Sequence, residues 1–484
     1  MKILGATILL ASFTLIASAQ NYAVLKTFGP EALNPTIGSY TNGDGAYPTA
    51  ELIISGHTLF GACSVGGPGG SGTIFKMNFD GSGFTTLHAF AAGTTNLSGT
   101  FTNSDGQQPR SALSLSGDTL FGTTEYGGTL GGGTLFRINT NGGAFTLLKT
   151  FTPTNSSGAW PVGGVVVLGG DAIYGTTSGG GSNIAGVIFK VGTNGSNFSV
   201  IHQFAFTATN AGQPFGTLLS SGATLYGTSY SGGASGGGTV FKINTNGTGF
   251  TLLKSFSALV SGTNADGARP EARLVLAGPT LYGSTYYGGI SNGVIFRVDT
   301  NGNNFTNIHT FSATTGFYNS DGASPSSGLV LAGALYGTTQ FGSDAGGVIF
   351  SVNTDGSNFL PLRAFGASDP VNDGRVPAAG LALSGATLFG TSEFGGLNNS
   401  GTVFRYQWDN TPPVYIARSG TNVLVNWPTD NYPTNNFNFT LESTPQVGAS
   451  ATWNAVSQNT VIVNGQNTVT NAAVGTQFYR LSPF

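Results

Sequence analysis

The chain has 484 residues, of which only 8% are charged, and its formal net charge is −3. Ordinary globular domains carry about a quarter charged residues, but aromatic residues at 11% give this chain enough apolar surface to bury a core, so it is not disordered. The charge balance argues against nucleic acid, which needs a basic stripe, and the lone Cys63 rules out a disulfide framework or a Cys-rich metal site.

The N-terminus opens Met1-Lys2, runs through an apolar stretch from Ile3 to Ile16 and reaches Ala17-Ser18-Ala19. That order predicts a secretory signal peptide over 1–19, a mature start near Gln20, and a secreted or cell-surface protein. The apolar run is too short to span a bilayer and no later stretch qualifies, so no membrane-spanning segment is expected.

A repeat follows. Leu/Ile-aromatic-Gly occurs with its glycine at Gly61, Gly122, Gly175, Gly227, Gly283, Gly337 and Gly390, spaced 52 to 61 residues apart. A second glycine falls five residues on, then a phenylalanine from Phe75 to Phe404, then a turn glycine in the first six copies. Those six copies continue as aromatic-x-x-Leu/Ile-x-x-Phe, as in Phe250, Leu253 and Phe256. Each copy reads as four short strands; in the fourth they are about 217–220, 224–229, 239–244 and 250–256. Asn246-Gly247 and Asp355-Gly356 mark hairpins between third and fourth strands. Four strands in about 50 residues is one propeller blade.

The seventh copy stops after Phe404-Arg405-Tyr406 and lacks its fourth strand. Tyr22, Leu25 and Phe28 carry the missing spacing at the other end of the chain, so an N-terminal strand closes a seven-bladed ring and removes a free sheet edge. The fold class is therefore all-β: a seven-bladed β-propeller over 20–407. A linker at 408–413 and a small β-sandwich at 414–484 complete the expected organisation.

Leu225-Tyr226-Gly227-Thr228, Gly232-Gly233 and Gly238-Thr239-Val240-Phe241, repeated along 22–406, resemble the GloVer tandem repeat of secreted bacterial choice-of-anchor proteins. The resemblance implies an exported, surface-associated protein and assigns no activity. The paired glycines are distantly similar to kelch propellers, without the kelch tryptophan. Leu424-Val425-Asn426-Trp427 and the run Gly475 to Leu481 resemble a truncated fibronectin type III domain, which implies a spacer or attachment module.

Candidate chemistry is sparse. The turns around Asp80, Asp299 and Asp355 look like the later part of a calcium loop, but Lys76, Arg297 and Ser351 stand where a first ligand would, so no metal is expected there. His88, His202 and His309 share one repeat position with Lys26, Lys149, Lys254 and Arg363; they read as a basic rim that guards outer edges rather than a cluster. Gly67 to Gly72 fits a dinucleotide fingerprint in letters alone, since no helix follows it, and no cofactor is expected. No Gly-x-Ser-x-Gly elbow occurs. Asp44, Asp105, Asp266, Asp321 and Asp373 each begin an Asp-Gly-x-x-Pro turn, where a carboxylate ordinarily bonds its own loop.

Strand parity places the blade-to-blade connections and the 2–3 loops on one face, and the tight hairpins on the other. The first set varies in length, which marks the functional face of a propeller. Those aspartates and the aromatics Tyr126, Tyr287, Phe341 and Phe394 belong to it, and aromatic rings beside acceptors suit a carbohydrate or a cell-surface protein, and equally the plain packing of loops. The expected function is non-catalytic binding or adhesion. The alternatives are a propeller polysaccharide hydrolase or lyase, which needs an asymmetric acidic or Tyr/His cluster on that face, and a structural surface-layer component.

Overall fold

The computed structural model describes residues 21–95, 99–314, 319–343, 345–366 and 373–407, and the strands of the C-terminal region between 415 and 483. The leader over 1–19 and the linker over 408–413 lie outside the described residues. Every regular element described is a strand, and no described helix is long and apolar enough to cross a membrane.

Six four-stranded antiparallel blades occupy 53–89, 114–150, 166–203, 219–255, 275–310 and 330–366. The seventh combines Ala382–Ser384, Thr387–Ser392 and Thr402–Gln407 with the N-terminal strand Asn21–Thr27 on its outer edge. The ring is closed by the strand the repeat was missing. Tyr22 pairs Tyr406 and Lys26 pairs Val403, with Leu25 bulged out of register. Leu253 is bulged in the same way, since Val240 pairs Lys254 and Phe241 pairs Leu252. That shared bulge explains the three-residue spacing, because one extra residue resets which side chains face the neighbouring blade.

The Leu/Ile-aromatic-Gly motif has a packing cause. Gly227 pairs Phe241 on the third strand, and a Cβ at Gly227 would lie 2.5 Å from the Phe241 ring tip. The glycine makes room for the ring. The core is correspondingly divided into seven clusters, each between two adjacent blades; Phe28, Leu52, Phe75 and Phe389 fill the one that joins the seventh blade to the first. Cys63 is buried there as a small core residue, its thiol pushed well up by burial.

The hairpins are wider than Asn-Gly alone suggests. Only Gly247 of that pair has positive φ, a second left-handed residue follows at Gly249, and Asn246 Oδ1 accepts from Thr248 N and Oγ1 at 3.0 and 2.7 Å. Loop parity holds throughout: every blade-to-blade connection pairs with the 2–3 loop of the blade it enters, as in Gln107 with Tyr126 and Ala323 with Phe341. The C-terminal strands form one four-stranded and one three-stranded antiparallel sheet.

Candidate functional site at the channel mouth

Each first strand is entered through Pro-x-x-x-Leu or Pro-x-x-x-Val, from Pro48–Leu52 to Pro377–Leu381. The residue before each proline, from Tyr47 to Val376, has φ between 53 and 59. This strained left-handed conformation is held by bonds to two blades. Gln108 N donates to Ser71 O at 3.0 Å in the preceding blade, and Gln108 O accepts from Glu125 N at 3.1 Å in its own. Val376 does the same between Gly346 O and Glu393 N. The strained residue thereby fixes where the first residue of each 2–3 loop points.

It points at the axis. A cavity of about 390 Å³ is lined from all seven blades by the residues after each proline, together with Glu125, Gln340 and Glu393. Seven similar frames carry dissimilar side chains here. Four carboxylates (Glu51, Glu125, Glu271, Glu393) and two guanidiniums (Arg110, Arg273) come from blades one, two, five and seven. Arg110 Nε lies 3.3 Å from Glu125 Oε2. The Arg273 guanidinium lies 2.6 Å from Glu51 Oε1, joining blades five and one. Blade seven leaves room for that pair: a Cβ at Gly380 would sit 2.7 Å from Glu51 Oε2. Below it lies a second cavity of about 250 Å³, which shares Glu51 and Arg273 as lining, so the pair partitions the channel.

The carboxylates differ. Burial pushes Glu271 up to about 7, against the pull of Arg269. Burial also raises Glu393 against Arg110, and Glu51 against Arg273. The Tyr126 phenol is pushed up to about 12, by burial and then by its bond to Glu125. One mouth thus holds carboxyls in unlike environments.

None of these six residues carries a motif in the sequence. Tyr126, Phe341 and Phe394 follow Glu125, Gln340 and Glu393 directly, and alternation turns the earlier residue of each pair to the cavity. Tyr126 and Phe341 are exposed near the rim, Tyr287 is half-buried under the Arg269 guanidinium at 5.0 Å, and Phe394 packs on Tyr47 at 5.2 Å. The signal that could have found the site was divergence within the Pro-x-x-x-Leu frame of an otherwise regular repeat.

The five aspartates lie elsewhere, in the seams between blades. Asp44 accepts from Lys26 Nζ at 2.6 Å and Gly29 N at 3.1 Å. Asp105 bonds His88 at 2.9 Å and Ala91 N at 3.0 Å. Asp266 takes Lys254 Nζ at 2.6 Å and Ser257 N, Asp321 takes Ser312 N at 2.9 Å beside His309, and Asp373 pairs with Arg363. Asp321 is held below its ordinary value: burial works the other way, but the nearby His309 ring and the bonds from Ser312 prevail. The local turn is held by a different residue, an asparagine two positions earlier. Asn42 Oδ1 accepts from Gly45 N and Gly67 N, each at 2.8 Å, and Asn103, Asn264 and Asn319 have the same place.

This corrects the basic rim. The bulge turns each cation inward, where it also lies on an aromatic ring of the next blade. Lys26 lies over Phe84 at 4.5 Å, Lys149 over Phe198 at 4.3 Å, and Lys254 over Phe305 at 4.1 Å. His88, His202 and His309 stack on Phe145, Phe250 and Phe359, and Arg363 covers Tyr22. Seven cation or imidazole contacts clasp seven seams. On the opposite face the Oδ1 atoms of Asp80 and Asp355 accept from the amide and hydroxyl of Ser82 and Ser357.

Fold and site together define a seven-bladed propeller with a charged, asymmetric channel mouth. The chain belongs to the Gloeobacter/Verrucomicrobia repeat family, which matches residues 91–292 and 256–404. It matches no curated protein. Among solved structures it is similar to an oligogalacturonate lyase in complex with manganese (12% identity, 81% of this chain and 98% of that one, TM-score 0.46). It is also similar to a Niastella koreensis GH74 enzyme (15%, 86% and 70%, TM-score 0.40) and to a putative 6-phosphogluconolactonase from Bacteroides fragilis (13%, 89% and 98%, TM-score 0.43). Likenesses this distant say nothing of activity.

Proposed function

We propose that this chain is an exported carbohydrate-binding propeller that seats its ligand over the channel mouth, with the region 414–484 as an attachment or spacer module. The observation that carries the reading is the gathering of four carboxylates and two guanidiniums at repeat positions that otherwise have no reason to differ. Carboxylates accept from sugar hydroxyls, while Arg110, Arg273 and the Gln340 amide donate to them. Tyr126 and Phe341 beside the rim supply ring faces. Titration of the full-length chain with oligosaccharides tests this: Glu271→Gln and Glu393→Gln should each weaken binding about tenfold, and undiminished affinity in both variants overturns the site.

A catalytic reading is favoured by one observation, the Glu271 carboxyl held at about 7 among carboxylates with arginine partners. Unequal carboxyls are what divides an acid from a base near neutral pH. Release of reducing ends from a bound oligosaccharide without an unsaturated product, abolished by Glu271→Gln, would establish hydrolysis; binding with no product would leave the non-catalytic function.

A further inference from the structure

We infer that the seam between the seventh and first blades carries a second saccharide subsite, so that the ligand is a chain of neutral sugars running from this seam to the channel mouth. The inference rests on the channel-mouth reading and names its ligand class.

The connection that enters the first blade carries a structure of its own. It builds a two-stranded hairpin, Ala32–Asn34 with Ser39–Thr41, on the variable face. Between this hairpin, Tyr47 and the 2–3 loop of the seventh blade lies a cavity of about 610 Å³, a volume in the range that holds a small ligand. Its hairpin wall presents Tyr40, 62% exposed. Tyr40 pairs Leu33 across the hairpin and, among the described residues, stacks on no other ring, so one face of the phenol ring is open toward the cavity. The opposite wall presents Asn398 and Asn399, both exposed and held in place by Asn398 Nδ2 on Phe28 O and Arg375 on Asn399 Oδ1, and Glu31 lines the cavity beside the Tyr47 phenol. An exposed ring opposite amides and a carboxylate offers a stacking face with acceptors and donors at the edge of a sugar.

The cavity is also adjacent to the mouth. Tyr47 stands between them: its phenol meets Glu31 on the seam side, its ring packs on Phe394 at 5.2 Å, and it feels the charge of Glu393, which lines the mouth. A chain bound in the seam therefore crosses the Tyr47–Phe394 pair to reach Glu393. Carboxylates along this path, Glu31 and then Glu393, with four at the mouth against two guanidiniums, repel uronates and accept from neutral hydroxyls.

The test is titration of the full-length chain with cellohexaose, mannohexaose and hexagalacturonate, each beside its disaccharide. A neutral hexasaccharide should bind at least tenfold more tightly than its disaccharide. Tyr40→Ala should reduce the hexasaccharide alone, by about tenfold to thirtyfold, and Tyr40→Phe should restore it. Glu31→Gln supplies the same readout should the hairpin variant melt early. Glu271→Gln should weaken both lengths. If Tyr40→Ala and Glu31→Gln leave hexasaccharide affinity intact while Glu271→Gln lowers it, the seam subsite is wrong and the mouth reading stands. If hexagalacturonate is preferred, the neutral-chain assignment falls, and if no probe binds, both readings fall.

Discussion

Glu51 and Arg273 meet at 2.6 Å across the axis of the ring, a bond between blades one and five that share no sheet. Arg273→Ala leaves a carboxylate that is only 18% exposed without its cation. A lost charged hydrogen bond with one group left buried costs about 1–3 kcal/mol. Urea denaturation should show that loss, and Glu51→Ala in the Arg273→Ala background should cost less than it does alone, because the two changes share one interaction. Strict additivity would mean that the pair contributes no coupling.

The seam clasps give a second expectation. Asp266→Ala removes the partner of Lys254 and the acceptor of Ser257 N, and should lower stability by about 1–3 kcal/mol. Oligosaccharide affinity should stay within twofold of the parent protein. A variant that melts normally but no longer binds would restore Asp266 as a ligand residue.

Deleting 21–28 should be far more damaging. Phe28 is fully buried and Tyr22 packs on Phe365 and Phe404 at 5.8 and 5.7 Å. Each such side chain stabilises by about 1.5–3 kcal/mol on burial, and the deletion also bares the edge of Thr402–Gln407. A sharp fall in melting temperature or aggregation is expected, and adding a peptide of residues 20–30 should partly reverse it.

Stability should also fall with rising pH in a defined window. The Glu271 carboxyl is raised from an ordinary 4.5 to about 7, so between those values the folded chain holds a proton that the unfolded chain has released. The resulting penalty is absent at low pH, grows as pH rises towards 7 and is constant above. It amounts to at most about 3 kcal/mol, less whatever solvent screening removes. Glu271→Gln should flatten the melting temperature between pH 5 and 8 relative to the parent protein; parallel curves would rule out this origin.

A chelator should leave the melting transition in place. Asp80 and Asp355, the carboxylates most like calcium ligands in sequence, already accept from Ser82 and Ser357. A calcium-dependent shift of several degrees would reveal a structural ion, since an ion that binds only the folded state raises its stability by mass action.

The blades, their number and the closing strand are legible in the sequence because each is a spacing: Leu25 could be aligned with Leu253 long before either was seen to bulge. The face that carries the variable loops follows from parity alone. What escapes such reading is which neighbour a side chain meets. Lys26 and Asp44 are 18 residues apart, and His309 and Asp321 are 12, so no fixed interval advertises the clasp. At the mouth the difficulty is the reverse. Glu125 and Glu393 adjoin the more conspicuous aromatics Tyr126 and Phe394, and only the strand's alternation decides which of the two looks down the axis.

The closing strand has a consequence for the order of events during biosynthesis. Asn398 Nδ2 donates to Phe28 O at 2.8 Å, a bond between residues separated by 370 positions. The segment 21–28 leaves the ribosome before any of the blades, yet its partner strand Thr402–Gln407 follows only after nearly the whole ring has been made. Six blades can collapse one upon the next as they emerge, but the N-terminal strand must wait, unpaired, until the seventh has been made. Contacts so distant in sequence are slow to form, and a β-edge kept waiting is open to the wrong partner. Refolding should therefore end in a late phase confined to the seventh blade, during which the molecule is an open arc.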